Sequence, residues 1–454
     1  MGSVWAVAIN TIRQALRMKI AVVFIILLLV LLPVMGVSMT GDGTIKGRLQ
    51  TFISYGLSLT SFLLCLLTIV VSIYSLTSDI QQRQIYTVIT KPIRRSQLLF
   101  GKLLGVVLLD VAFLGLFSAV IYAITIYTPR FSGASEAELT QLKNEFFTAR
   151  ASLTPAEIDV TKEVLDTYNK LEESGQLPAG VSRNRIIAQL TSQKKLEKRA
   201  AVVGHDLLWE FDNVKPLGSG QSLFVRFKYD VSVNPPDLQV YSRWVIGDDR
   251  QLKYGGGIET PIYTLDRKDL IRTFYEIEVP ADAVAKDGYL AVGFLNVPLN
   301  NTVVIFPPED GLEVLYRAGT FTGNFLRAVL LILFRLIFLT CLGILASSFL
   351  SFPVALLLCL AVFFTGTISG FVMESFDFMS EGLKGVYFYT LRPIVQLLPQ
   401  FDKFNPAKFL VPARLLSWSL LAKVTGLMIC IKSVLLLLFA LLIFSYKEIA
   451  KIIV

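Results

Sequence analysis

The chain has 454 residues, 54% hydrophobic and 17% charged, with a net charge of +8 and a mean hydropathy of +0.60. A soluble domain carries about 45–50% apolar residues, and here the excess falls in long blocks, which excludes an ordinary globular protein and points to membrane spans. Segment 127–322 holds 27 acids against 22 bases, leaving 21 of the 43 bases but only 8 of the 35 acids to the apolar remainder. A basic surplus so placed indicates membrane topology and anionic-lipid contact, not nucleic-acid binding.

The four cysteines, Cys65, Cys341, Cys359 and Cys430, all lie in apolar runs. They form no disulfide framework or metal-binding pair that spacing would predict. The single histidine, His205, has no histidine or cysteine nearby to build a metal or catalytic site with. The first apolar run is too long for a cleavable signal peptide, and no small-residue cleavage site follows it.

In chain order, Met1–Met18 sets Val4, Trp5, Ala8, Ile9, Ile12, Ala15 and Leu16 at helical spacing, with Arg13 and Arg17 on the other side. This predicts an amphipathic helix lying at the membrane interface. Spans follow at about Lys19–Met39, Ser54–Leu76 and Leu103–Tyr127, each near the 20 or so apolar residues a helix needs to cross a bilayer. Between the second and third lies TSDIQQRQIYTVITKPIRRSQLLFGK, residues 77–102. It carries Arg83, Lys91, Arg94, Arg95 and Lys102 against one acid, Asp79. Short basic loops stay in the cytoplasm. The pattern predicts a short helix over Ile80–Ile89, ended at Lys91-Pro92 because proline disfavours helix in the residue before it.

The run IYTVITKPIRRSQLLFGKLLG resembles the loop after the second span of ABC-2-type transporter permeases, where a short helix precedes a KP-x-x-R segment and a GK entering span three. Where that family often has Glu and Gly-Thr in the short helix, this chain has Gln84 and Tyr86-Thr87. The resemblance implies a coupling helix that docks on a separate ATPase subunit. Arg83, Gln84, Tyr86, Thr87, Lys91, Pro92, Arg94 and Arg95 would then lie at that contact. It further implies a permease homodimer with two ATPase copies in an inner membrane, and ATP and Mg held by the ATPase. The fold class implied is a polytopic α-helical membrane protein with six transmembrane helices. The large middle segment lies outside the resemblance.

Residues 128–322 are polar and, by span parity, extracytoplasmic. Over 128–205 the segment is expected to be helical. Ser135-x-x-Glu138 and Thr154-Pro155-Ala156-Glu157 are two capping signatures, the second with proline at the first helical position, and a third helix starts at Ser182. Over 206–317 the period switches to two. Strands are predicted at Leu207–Phe211, Ser222–Val233, Gln239–Ile246, Thr273–Val279, Tyr289–Asn296, Thr302–Phe306 and Glu313–Arg317, separated by Pro, Gly, Asp and Asn turns. Short strands at this spacing predict a β-sandwich or jelly roll, similar in general shape to carbohydrate-binding sandwiches. The inserted domain is therefore α+β. Trp209, Tyr241 and Trp244 are candidates to stack on a glycan, with core packing as the competing role. Residues 323–454 return to the membrane with spans at about Phe325–Ala346, Pro353–Met373 and Thr425–Tyr446. Residues 374–424 form an outer re-entrant or surface segment, and Lys447 and Lys451 place the C-terminus inside.

Ionisable residues within spans are costly in lipid and are functional candidates. They are Asp110, Arg335 and Lys432, with an Asp110–Arg335 pair joining spans three and four as the structural reading and a polar transport path as the other. Arg327 and Lys432 could instead snorkel. Gly366 and Gly370 form a GxxxG that permits close helix approach, within the subunit or, by the resemblance, at a dimer seam. The chain has no Walker A motif, no nucleophile–histidine–acid signature and no paired carboxylates, so it is expected to be no enzyme and to bind no cofactor. Two functions remain: a permease subunit of an ATP-driven exporter, or a non-transporting membrane scaffold whose sandwich binds envelope glycan or a protein.

Overall fold

A computed structural model describes the chain apart from residues 1, 40, 42, 82–93, 134, 178–182, 217–220, 252–258, 309, 378–389, 391, 394, 396–397, 403 and 447–454, with backbone alone at 137, 141, 374, 376 and 377. The chain divides into two compact units, one of residues 1–147 with 320–454 and one of residues 148–319.

The first unit is helical. Helix α1 (Gly2–Leu16) precedes α2 (Lys19–Ser38), α3 (Ile45–Gln81), α4 (Arg95–Phe131) and α5 (Glu136–Glu145). After the second unit come α8 (Phe321–Phe349), α9 (Phe352–Asp377) and the short α10 (Ala407–Leu410). The final helix runs as α11 (Trp418–Val424), a π-helical stretch (Thr425–Ser433) and α12 (Val434–Tyr446). Ser433 Oγ donates to the Met428 carbonyl five residues back, as the wider π turn allows.

Among the described residues six helices are long and apolar enough to cross a membrane. They differ in how much of them packs inside the unit. The most apolar stretch of α3 is 72% buried and that of α2 only 17%. Helices α3, α4 and α8 therefore form the centre, while α2, α9 and the final helix lie at the periphery with apolar side chains outward, the arrangement a lipid solvent selects.

The second unit places two helices, α6 (Thr161–Glu173) and α7 (Arg183–Glu197), beside three antiparallel sheets. One sheet has the order β1-β11-β4-β8, built from Thr148–Leu153, Leu312–Thr320, Ser222–Phe227 and Tyr275–Pro280. A second has β3-β9-β6-β7, from Asp206–Phe211, Leu290–Asn296, Gln239–Gly247 and Tyr263–Leu270. A small third sheet joins β2 (Ala200–Ala201), β10 (Val304–Ile305) and β5 (Asp230–Val231). Leu223, Val225 and Phe227 of the first sheet share one core with Val240, Trp244 and Ile246 of the second, which makes the pair a sandwich. Along β6 the pleat turns Val240, Ser242, Trp244 and Ile246 inward and Tyr241 and Arg243 outward.

The expected helical segment over 128–205 is corrected in three places. Helix α5, with the capping box at Ser135 and Glu138, belongs to the first unit, where Phe146 just after it stacks on Phe321. The next residues form β1, because Thr148, Ala149 and Arg150 are buried against a sheet partner far along the chain. The signature at Thr154–Glu157 starts no helix. Asp159 Oδ1 accepts the Thr161 N–H at 2.9 Å and starts α6 there instead. Strand β7 was not predicted, since charged residues fill the middle of its sequence YTLDRKDL.

Trp244 is fully buried, and its Nε1–H donates to Ser242 Oγ at 3.1 Å, so it cannot stack on a glycan. Trp209 packs edge-on against Phe306. Tyr241 is 38% exposed, with Lys268 Nζ 4.7 Å from its ring centre. Trp244→Ala should therefore lower stability by about 3–5 kcal/mol, and Tyr241→Ala by about 0.5–1 kcal/mol. Calorimetry of the full chain in detergent measures both; equal losses would contradict the inward and outward assignment.

Candidate functional site

The two helices that flank segment 82–93 are tied at its base. Asp79, in the last turn of α3, forms an ion pair with Lys102, in the second turn of α4. The two residues are 6% and 1% exposed. Lys102 Nζ also donates to the Ser75 carbonyl. From α1, Gln14 Nε2 donates to Ser78 Oγ at 2.7 Å and to Asp79 Oδ1 at 3.5 Å. Helix α1 approaches α4 at two glycines. A Cβ on Gly101 would lie 2.6 Å from Val7 Cβ, and one on Gly105 would lie 2.7 Å from the Ala8 carbonyl oxygen. Gly101 and Gly105 are four apart and share one helix face, so this face can receive only a helix that comes to backbone distance.

Arg95 adds a second tie. Its guanidinium donates to the Phe444 and Ser445 carbonyls at 2.8 and 2.7 Å, a cation set on the electronegative C-terminal end of α12. Arg94 is exposed, and its backbone N–H donates to Gln97 Oε1 at 3.1 Å, capping α4. The other residues expected at the coupling contact, Arg83, Gln84, Tyr86, Thr87, Lys91 and Pro92, lie outside the described residues, as does most of the short helix expected over Ile80–Ile89.

The expected Asp110–Arg335 pair does not form. Asp110, buried between α3, α4 and α8, accepts from Thr68 Oγ1 at 2.8 Å and from Thr340 Oγ1 at 3.4 Å. Arg335 donates instead to Ser61 Oγ at 3.2 Å and to the Phe401 carbonyl at 2.9 Å. The carboxylate that attracts it is Asp402. The reason is the segment around Phe401, which enters the bundle and occupies the face of α8 that Arg335 presents. Phe401 is 1% exposed and packs against Phe338 and Phe363.

The same segment fills the GxxxG of α9. A Cβ on Gly366 would lie 2.5 Å from the Pro399 carbonyl oxygen, and one on Gly370 would lie 1.8 Å from Asp402 Oδ2. Between them Ser369 Oγ donates to Asp402 Oδ1 at 2.7 Å. The close approach at Gly366 is thus to this chain's own backbone and at Gly370 to its Asp402 side chain, the packing within the subunit that was one of the two readings. Lys432 donates to the Leu398 carbonyl at 2.9 Å. Arg327 donates to the Leu416 carbonyl at 3.0 Å and lies over the Trp418 ring. Both cations reach backbone carbonyls that have left regular helix.

Gln14, Gly105, Asn324 and Asp402 were not singled out from the sequence, and Gly101 was noted only as part of the GK entering span three. The signals present were the Gly-x-x-x-Gly at 101–105 and a lone acid, Asp79, in a basic loop. Compared with known proteins, the chain matches no family model, no curated protein and no solved structure.

Lys102→Met should cost about 3–5 kcal/mol, because it leaves Asp79 charged and buried alone. Adding Asp79→Leu should recover most of that loss; a double variant no more stable than the single one would mean the pair is not coupled. Gly105→Val should drive α1 off α4, and a cysteine replacing the buried Thr11 should then react with thiol reagents far faster than in the parent. Unchanged reactivity would contradict the close packing.

Proposed function

We propose that this chain is the membrane subunit of an ATP-driven exporter of the ABC-2 type, acting as a homodimer with two copies of a separate ATPase. The observation that carries this reading is the brace at the base of segment 82–93. Asp79 and Lys102 tie α3 to α4, Gln14 adds α1, and Arg95 adds the end of the final helix. A segment used only as a topological anchor needs positive charge but no such brace. A segment that receives force from a partner needs its two ends joined to the helices that must move.

The mechanism follows from that linkage. Closure of the ATPase pair pushes on residues 82–93. The ion pair passes the push to α3 and α4 together, so they move as one block and do not slide past each other. Through Arg95 the final helix follows, and the path opens outward. ATP and Mg stay on the partner, and this chain contributes the path and the lever. Short basic loops remain cytoplasmic, which sets both chain ends inside and the domain of residues 148–319 outside.

Two measurements test the proposal. In a cysteine-free background, a cysteine at Lys194 should react with an impermeant thiol reagent in intact cells and one at Gln82 should not; labelling of both from outside removes the topology. Arg83→Glu and Tyr86→Ala should insert normally but reduce co-purification of the ATPase at least about tenfold, as for an unpaired charge or lost anchor at a docked interface. Full association and ATP hydrolysis in both variants would leave the segment a topological anchor and the exporter reading without its lever.

A further inference from the structure

The domain of residues 148–319 contains a buried cation that makes no ion-pair contact among the described residues. Arg199 sits in the turn between α7 and β2 and is 7% exposed. Its backbone is fixed on both sides: its N–H donates to the Leu196 carbonyl, and its own carbonyl accepts from Phe306. One guanidinium nitrogen, NH1, donates to the Pro308 carbonyl at 2.7 Å and to the Pro307 carbonyl at 3.4 Å. Among the described residues its remaining N–H groups meet no acceptor and no carboxylate pairs with it. Carbonyls orient a guanidinium without cancelling its charge, and burial lowers the Arg199 pKa from its ordinary value.

Arg199 lines a cleft of about 600 Å³. Lys195 lines the same cleft four residues earlier. It is half-buried and has no ion-pair partner among the described residues. Two like charges lining one cleft repel each other, and here both are partly withdrawn from water. Of the two acids at the cleft among the described residues, Asp310 is already paired with Lys228, and Glu157 is exposed and acts on Arg199 at a distance, without an ion-pair contact. The walls are apolar, formed by Ile158, Leu196 and the two prolines. Buried charges are retained where a partner completes them, and a guanidinium fork beside an ammonium suits an oxyanion. The cleft is of the size that holds small organic ligands and exceeds what a bare inorganic anion would fill.

We propose that this cleft binds an organic oxyanion, a carboxylate or phosphate monoester with an apolar body, held between Arg199 and Lys195. The site is a binding site distinct from the transport lever, and it does not rest on the exporter reading.

The test uses the full chain in an uncharged maltoside detergent, with phenyl phosphate, benzoate and inorganic phosphate as probes in titration calorimetry. At least one organic probe should bind saturably at one site per chain, and more tightly than inorganic phosphate. The stronger of phenyl phosphate and benzoate identifies the headgroup. Arg199→Gln and Lys195→Gln should each weaken binding about tenfold, as for loss of one charge-assisted contact. Arg199 also ties the Pro307–Pro308 carbonyls, so Arg199→Gln could disturb folding; Lys195→Gln touches no such contact and decides the matter. Absence of saturable binding by all three probes, or an unchanged affinity in Lys195→Gln, overturns the proposal.

Discussion

The buried ion pair of Asp79 and Lys102 sets the relation between the two longest helices of the chain. A buried pair adds little net stability, because the desolvation of both charges offsets their attraction, yet breaking it is costly. Its main effect is therefore on register. Any slide of α3 along α4 by one turn would separate the charges and leave each without a partner. Helix α1 is locked to the same joint, since Gln14 reaches Asp79 while Gly101 and Gly105 remove the side chains that would hold α1 away. The joint links three helices through groups lying within two turns of one another.

A second constraint governs residues 398–416, which are mostly irregular yet pack among apolar helices. Backbone without regular hydrogen bonds is tolerated at membrane depth only where protein or water satisfies it. Here side chains from the helices do so. Arg335 and Lys432 serve the Phe401 and Leu398 carbonyls. Gln50 serves Val411, and Arg327 serves Leu416. Asn324 acts twice, donating to the Arg414 carbonyl and accepting from the Leu416 N–H. Arg327, Arg335 and Lys432 are thus accounted for by the segment they hold, without pairing with Asp110.

This explains what could be read from the sequence and what could not. The six long helices and most strands follow from length and period, which are local properties. The partners of Asp110, Arg335 and the glycines of α9 depend on where a distant, proline-rich segment folds back, and no spacing records that. Strand β7 escaped because its outward residues Asp266 and Lys268 are charged, pairing with Arg243 and Asp237, and an edge strand needs less apolar content than a central one. The capping signature at Thr154 failed because the helix starts only at Thr161, after a turn in which Asp159 accepts the Thr161 N–H, where Val164 and Tyr168 could be buried. The brace at Asp79 and Lys102 was half legible: the lone acid and the lysine were both visible in the same basic stretch, but nothing in the spacing singled out Lys102 from its four basic neighbours, and the glycines that admit α1 resembled a simple helix entry.

The centre of the bundle shows how such a structure holds together where burial of apolar surface gives no advantage over lipid. Between α3, α4 and α8, Asp110 accepts from a threonine on each neighbour, Thr68 and Thr340. One turn further along, Gly343 of α8 meets Ser72 of α3 so closely that an added Cβ would lie 1.9 Å from the serine oxygen. Small residues let the backbones approach, and hydrogen bonds between helices then act over short distances. The two devices lie one turn apart, the first joining α3, α4 and α8 and the second α3 and α8. Helix α2 makes a close approach of its own to α4, where a Cβ on Gly36 would lie 2.9 Å from Ile124 Cγ2, so the same device also ties a peripheral helix to the centre.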